Sequence, residues 1–114
     1  MQTARDVAVV RLRGDFDVAD KERLTRAFAA VRDARCVVVD LSEARYIDLT
    51  LVNCLIGLQR ARANLHEGRV VLRGASPHVR RVFAISRLDG VFRFDDAQDD
   101  AHLTDAHEIV VQSQ

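Results

Sequence analysis

The stretch "CVVVDLSEARYIDLTLVNCLIGL", residues 36–58, decides the fold. It opens on a short valine-rich run, residues 36–40, of the kind that suits a strand buried on both faces. It closes on apolar residues at helical spacing. With residues 49–65 placed at about 100° per residue, Leu51, Cys54, Leu55, Leu58, Ala61 and Leu65 share one face, which must be core. A buried strand that delivers the chain to an amphipathic helix is the repeating unit of an α/β layer.

The flanking sequence repeats that unit. "DVAVVRLRGDFD" reads as a strand over 7–13 that ends in a turn at Gly14-Asp15. "ADKERLTRAFAAVRDA" reads as a helix with Asp20 as N-cap and Leu24, Ala27, Phe28 and Val31 on one face. "LSEARYI" carries the chain across from strand 36–40 to the second helix. "RVVLRG", 69–74, is another buried strand. "SPHVRRVFAISRL" starts a helix with Ser76 as N-cap and Pro77 at the first helical position, and Val79, Val82, Phe83 and Ile85 form its apolar side. "GVFRF", 90–94, is a short strand, and the acidic turn "DDAQDD" opens a final helix, where early acids suit the positive end of the dipole. The alternation predicts one α/β domain over residues 1–114, with a central mixed sheet of about four to five strands and four helices packed on it.

Composition narrows the function. The 114 residues carry 17 basic and 17 acidic side chains, for a net charge of zero. Phosphate neutralisation needs a surplus of Lys and Arg, so nucleic acid and a basic membrane-binding face are both disfavoured. The first residues, "MQTARDVAVVRLRG", show no apolar signal region, and no apolar run approaches the length of a membrane span, so a cytoplasmic protein is expected. Cys36 and Cys54 lie in apolar surroundings without CxxC spacing and read as buried, reduced thiols.

Catalysis finds little support. His66, His78, His102 and His107 are scattered without a metal-ligand spacing, and no phosphate loop or nucleophile elbow occurs. No catalytic residue, metal or cofactor is expected. The unexplained polar residues are those of "YIDLTLVNCL", 46–55. Asp48 stands where an N-cap should stand, able to accept from the free N–H groups of the first turn. Thr50, Asn53, Gly57, Arg60 and Asn64 gather on the helix side opposite the core. A capped helix with a polar outer face accounts for these residues; a low, flat docking surface for a protein, or an anion held by the helix start, would use them.

Taken together, "VVVDLS", "YIDLTL", "GRVVLRG", "SPHVRRVF" and "RLDGVFRF", in that order and spacing, resemble a STAS domain of the bacterial anti-sigma factor antagonist type. "LRGDFDVAD" matches the family's first strand ending. The resemblance covers roughly residues 7–96. It implies a non-enzymatic binding module whose partner is an anti-sigma factor, a serine/threonine kinase of the histidine-kinase-like ATPase class, so that capture of the partner frees a sigma factor. The family's phosphoacceptor in Asp-Ser-Ser/Thr-Gly falls by position on Thr50, with Asp48 as the leading acid and Asp17 as the acid near the same site. Leu49 replaces the first Ser, Leu51 the Gly, and Asn53 a second Gly. These changes make the helix start more apolar and favour docking through Asp17, Asp48, Leu49, Thr50, Asn53 and Gly57 over phosphorylation of Thr50. The alternative implied by the resemblance is an accessory subunit of an ABC-type lipid transport complex, or of a larger signalling assembly.

Overall fold

A computed structural model of the protein describes residues 7–62, 70–88, 90–95 and 107–113. The elements run β1 (Val7–Asp15), a 3₁₀ turn (Val18–Asp20), α1 (Lys21–Val31), β2 (Cys36–Tyr46), α2 (Leu49–Ala61), β3 (Val70–Arg73), α3 (Pro77–Ile85), β4 (Arg93–Asp95) and β5 (His107–Gln112). The sheet order is β4-β3-β2-β1-β5, and every pairing in it is parallel. Among the described residues the expected mixed sheet is therefore a parallel one.

Successive crossovers from β1 to β2 to β3 to β4 step in the same direction. Right-handed connections then place α1, α2 and α3 on one face. The alternation of side chains follows. Ala8, Val10 and Leu12 of β1, Val37, Val39 and Leu41 of β2, and Val70 and Leu72 of β3 are buried in one core with Leu24 and Phe28 of α1, Leu51, Leu55 and Leu58 of α2, and Val79 and Phe83 of α3. Phe83 meets Phe92 and Phe94 edge-on, with centroids 5.7 and 5.5 Å away.

Several expectations are corrected. β2 does not stop at Asp40 but runs on to Tyr46 beside β1, because two register shifts let the polar "SEAR" segment stay paired. Gly14, at φ 107°, takes up the second of these shifts where a Cβ would stand 2.1 Å from the Ser113 hydroxyl oxygen. α2 ends at Ala61, which is exposed; the rest of the expected helix, with Asn64 and Leu65, lies outside the described residues. Ile85 is 74% exposed and belongs to no core face, since α3 turns only Val79 and Phe83 fully inward. The final helix was expected to begin at Asp95. Asp95 itself ends β4, residues 96–106 lie outside the described set, and residues 107–112 form a strand, so three α-helices stand among the described residues.

Candidate functional site

The first two helices begin where β1 and β2 end, at the edge of a parallel sheet where α/β folds place their sites. Each start is fastened by an aspartate. Asp17 takes the Ala19 N–H at 2.9 Å, and Asp20 returns the bond by accepting from the Asp17 N–H at 3.1 Å. The cap predicted at Asp20 is therefore a reciprocal box led by Asp17, with Asp20 buried inside it. Asp48 caps α2, its Oδ1 accepting from the Thr50 N–H at 2.8 Å. That bond occupies a first-turn donor that a bound anion would otherwise use.

Between the two helices lies a groove of about 450 Å³. One wall is α1, through Lys21, Thr25, Phe28, Ala29 and Arg32, with Val18 at its start. The other is α2, through Thr50, Asn53, Cys54, Gly57, Leu58 and Ala61. Thr50, Asn53 and Gly57 recur one helical turn apart, so all three open onto the same channel. A Cβ built on Gly57 would meet nothing within 4 Å, so the groove is open above it. Thr50 is half-buried, not walled off against Val38 or Leu72.

The remaining predicted residues frame this groove. Asp17 and Asp48 hold the helix starts with their carboxylates turned to backbone. Leu49 does not line the groove but stands 57% exposed at the start of α2. Leu51 is fully buried, so it alters the core and leaves the surface unchanged; only Leu49 makes the helix start more apolar. Val18, at 69% exposure, and Tyr46, at 47%, add apolar surface at the same strand ends. Both cysteines stand outside any disulfide and are only partly buried. Cys54 sits at the groove margin, its sulfur 3.9 Å from the Thr25 hydroxyl, because its angle on α2 falls between the core stripe and the outer face.

The face of the sheet turned away from the helices carries what sequence reading missed. Glu108 of β5, Arg11 of β1, Asp40 of β2 and Arg73 of β3 form a row of alternating charge across four strands. Arg11 contacts Glu108 at 2.7 Å and Asp40 at 3.5 Å, and Arg73 reaches Asp40 at 2.9 Å. Burial pushes the Asp40 carboxyl up, but the Ser42 hydroxyl at 2.6 Å, the Ser42 N–H and Arg73 outweigh it and hold the pKa below the usual aspartate value. At the far end of α2, Arg62 is fully buried and donates to the carbonyls of Arg32, Ala34 and Arg35. Burial pushes its guanidinium below the usual arginine range.

With this geometry in hand, comparison with known proteins assigns the family. Residues 1–94 match the family described as "Mlab, STAS domain". The chain belongs to the STAS-domain family. A STAS-domain containing protein of Pseudomonas aeruginosa (strain UCBPP-PA14) is 31% identical over 85 residues, covering 74% of this chain and 83% of that protein. Among solved structures, the anti-sigma factor antagonist SpoIIAA in its unphosphorylated form superposes with a TM-score of 0.67 at 20% identity, over 90% of this STAS domain and 91% of that chain. A Thermotoga maritima protein described as an anti-sigma factor antagonist gives 0.71 at 14% identity, over 90% and 89%. The STAS domain of a SulP transporter from Vibrio cholerae gives 0.53 at 17%, over 82% and 77%. At these identities the structural likeness establishes the shared STAS fold.

Proposed function

We propose that this STAS domain is a non-enzymatic anti-sigma factor antagonist. It captures an anti-sigma factor kinase through the α1–α2 groove and the exposed start of α2, and so releases a sigma factor. The observation that supports this most is the alignment of Thr50, Asn53 and Gly57 along one open groove. Exposed Leu49 and Val18 at its mouth supply the apolar contact a protein partner needs.

Docking ranks above switching. The Thr50 N–H is already held by Asp48, so the helix start has less to offer a phosphate than an uncapped one. Should Thr50 be phosphorylated, about two added negative charges beside Asp48 would weaken an apolar contact. The same feature favours a second reading, in which an unswitched STAS subunit docks on the ATPase of a transport complex.

Binding of purified protein to a candidate anti-sigma kinase, with and without ATP, tests the proposal. Thr50→Ala is expected to keep binding, and Thr50→Asp to weaken it about tenfold, or about 1.4 kcal/mol. If Thr50→Asp and Gly57→Arg both bind as tightly as wild type, this face is not the interface. Binding to an ABC ATPase subunit instead of the kinase selects the second reading.

A further inference from the structure

α1 has two flanks, and only one of them faces the groove described above. The other, with Arg23, Arg26, Ala27 and Ala30, forms a second groove of about 470 Å³ with Ile109, Val110, Val111 and Gln112 of β5. Among the described residues β5 is the last strand of the sheet, paired with β1 on one side alone. The Ser113 N–H donates to the Arg13 carbonyl at 2.9 Å, so the odd-numbered residues of β5 bond toward β1. The Gln112 carbonyl accepts from Arg23 of α1 at 2.7 Å, so the even-numbered residues point outward. Among the described residues, Glu108 and Val110 therefore present their N–H and C=O groups along an unpaired edge.

Among the described residues that edge carries little of the usual protection. Exposed edge strands are commonly blunted by Pro, Lys, a bulge or extreme shortness. "HEIVVQ" has neither Pro nor Lys, its one acid, Glu108, is engaged by Arg11 at 2.7 Å, it pairs with β1 over six residues without a register shift, and it leaves Val110 46% exposed. Beside it stand two cations. Arg23 is spent on Gln112 and on Asp20, at 3.6 Å. Arg26 is exposed and meets no acid among the described residues. The requirements converge: outward backbone groups call for an extended chain, the floor of Ala27, Ala30 and Ile109 calls for small apolar side chains, and Arg26 calls for an acid.

We propose that the β5 edge is a second docking surface, which takes an extended acidic–apolar peptide segment of a partner protein as a sixth strand. This surface lies across α1 from the Thr50 groove, so it stands or falls independently of the function proposed above.

The probe is a fluorescent eight-residue peptide of alternating Glu and Val, with Gln-Val and Lys-Val peptides as controls. Binding is read by anisotropy, and location by amide hydrogen exchange on the full chain. The Glu-Val peptide is expected to bind and to slow exchange of the Val110 amide at least tenfold, and the Lys-Val peptide to do neither. Arg26→Glu, an exposed change, should weaken binding of the Glu-Val peptide at least tenfold, and Gly57→Arg should leave it unchanged. Val110→Pro removes an outward N–H while leaving the bonds to β1, and should abolish binding. Equal binding of the Lys-Val peptide, absence of protection at Val110, or indifference to Arg26→Glu overturns the proposal. So does protection of Val110 that grows with protein concentration in the absence of peptide, which would assign the edge to a second copy of this chain.

Discussion

The two ends of α2 treat their polar groups in opposite ways. At the start, Asp48 satisfies the Thr50 N–H from a half-buried position, Leu49 stands in solvent, and Thr50, Asn53 and Gly57 open onto a groove. At the finish, Arg62 is wholly buried and its guanidinium ties the α1–β2 turn to the helix through three carbonyls. The sheet beneath adds a second lock, since Asp40 is buried between Ser42, Arg73 and Arg11. A surface that must present a defined shape to a partner gains from rigid support beneath it. Here the support lies at the far end of the helix and on the back of the sheet, where it can be firm without closing the groove.

The largest effects should come from the locks. Asp40→Ala removes the buried carboxylate that Arg73 and Arg11 contact and should cost about 3 kcal/mol in urea unfolding. Arg62→Met leaves three turn carbonyls without their donor and should cost about 3 kcal/mol. Both variants, assayed well below their melting temperatures, should keep partner affinity within about threefold. A variant that stays folded yet loses the partner would mean that lock and site are one structure. The lock also has a pH signature. The folded-state pKa of Asp40 is depressed, so its contribution is fully present above the unfolded value of about 3.9 and is lost as pH falls through the lower folded value. Stability should stay level through mildly acidic pH and fall in that acid window, and Asp40→Asn should flatten the fall.

The open end was the easier one to read. Asp48 before an apolar-periodic run and Ser76-Pro77 before another mark helix starts by local chemistry, and the structure places caps at both. Thr50, Asn53 and Gly57 follow from one angle per residue. The locks have no such local mark. Arg11, Arg73 and Asp40 meet only because three strands lie in register, and Arg62 reaches a turn some thirty residues earlier in the chain. An arginine at a helix end reads as solvated until the fold shows what it covers. β5 was missed for a different reason. The acidic run before it suggested a helix start, although Ile109-Val110-Val111, a β-branched triplet, was a usable strand signal.

Gly57→Arg probes the open end directly. The new side chain enters space that nothing occupies, so folding should be preserved, and loss of a helical glycine should stabilise the protein by up to about 1 kcal/mol. In the groove the same arginine blocks whatever lies against Asn53 and Thr50. Partner affinity should fall about a hundredfold, or about 2.7 kcal/mol, in a titration by calorimetry. Opposite signs for stability and binding would separate surface from support. If affinity is unchanged while the melting temperature rises, the groove is a packing feature of the two helices and the docking surface lies elsewhere.

Asp48→Ala should have the smallest effect, and it falls where the two roles could merge. Its carboxylate makes one backbone bond, at 2.8 Å, at the positive end of α2. Losing an N-cap of this kind costs about 1 kcal/mol, through the unsatisfied N–H and the lost charge–dipole attraction. Asp48→Asn keeps an acceptor and gives up only the charge, so it should cost a few tenths of a kcal/mol. If Asp48 only holds the helix start, partner affinity should track stability, with both variants near wild type once fully folded. If the partner reads the charge, Asp48→Asn should weaken binding as much as Asp48→Ala does, although the two differ in stability. The half-buried carboxylate, committed to the Thr50 N–H, favours the first outcome: on the docking proposed above, the acid at the open end of α2 would serve structure, and recognition would fall to Leu49, Asn53 and the space above Gly57.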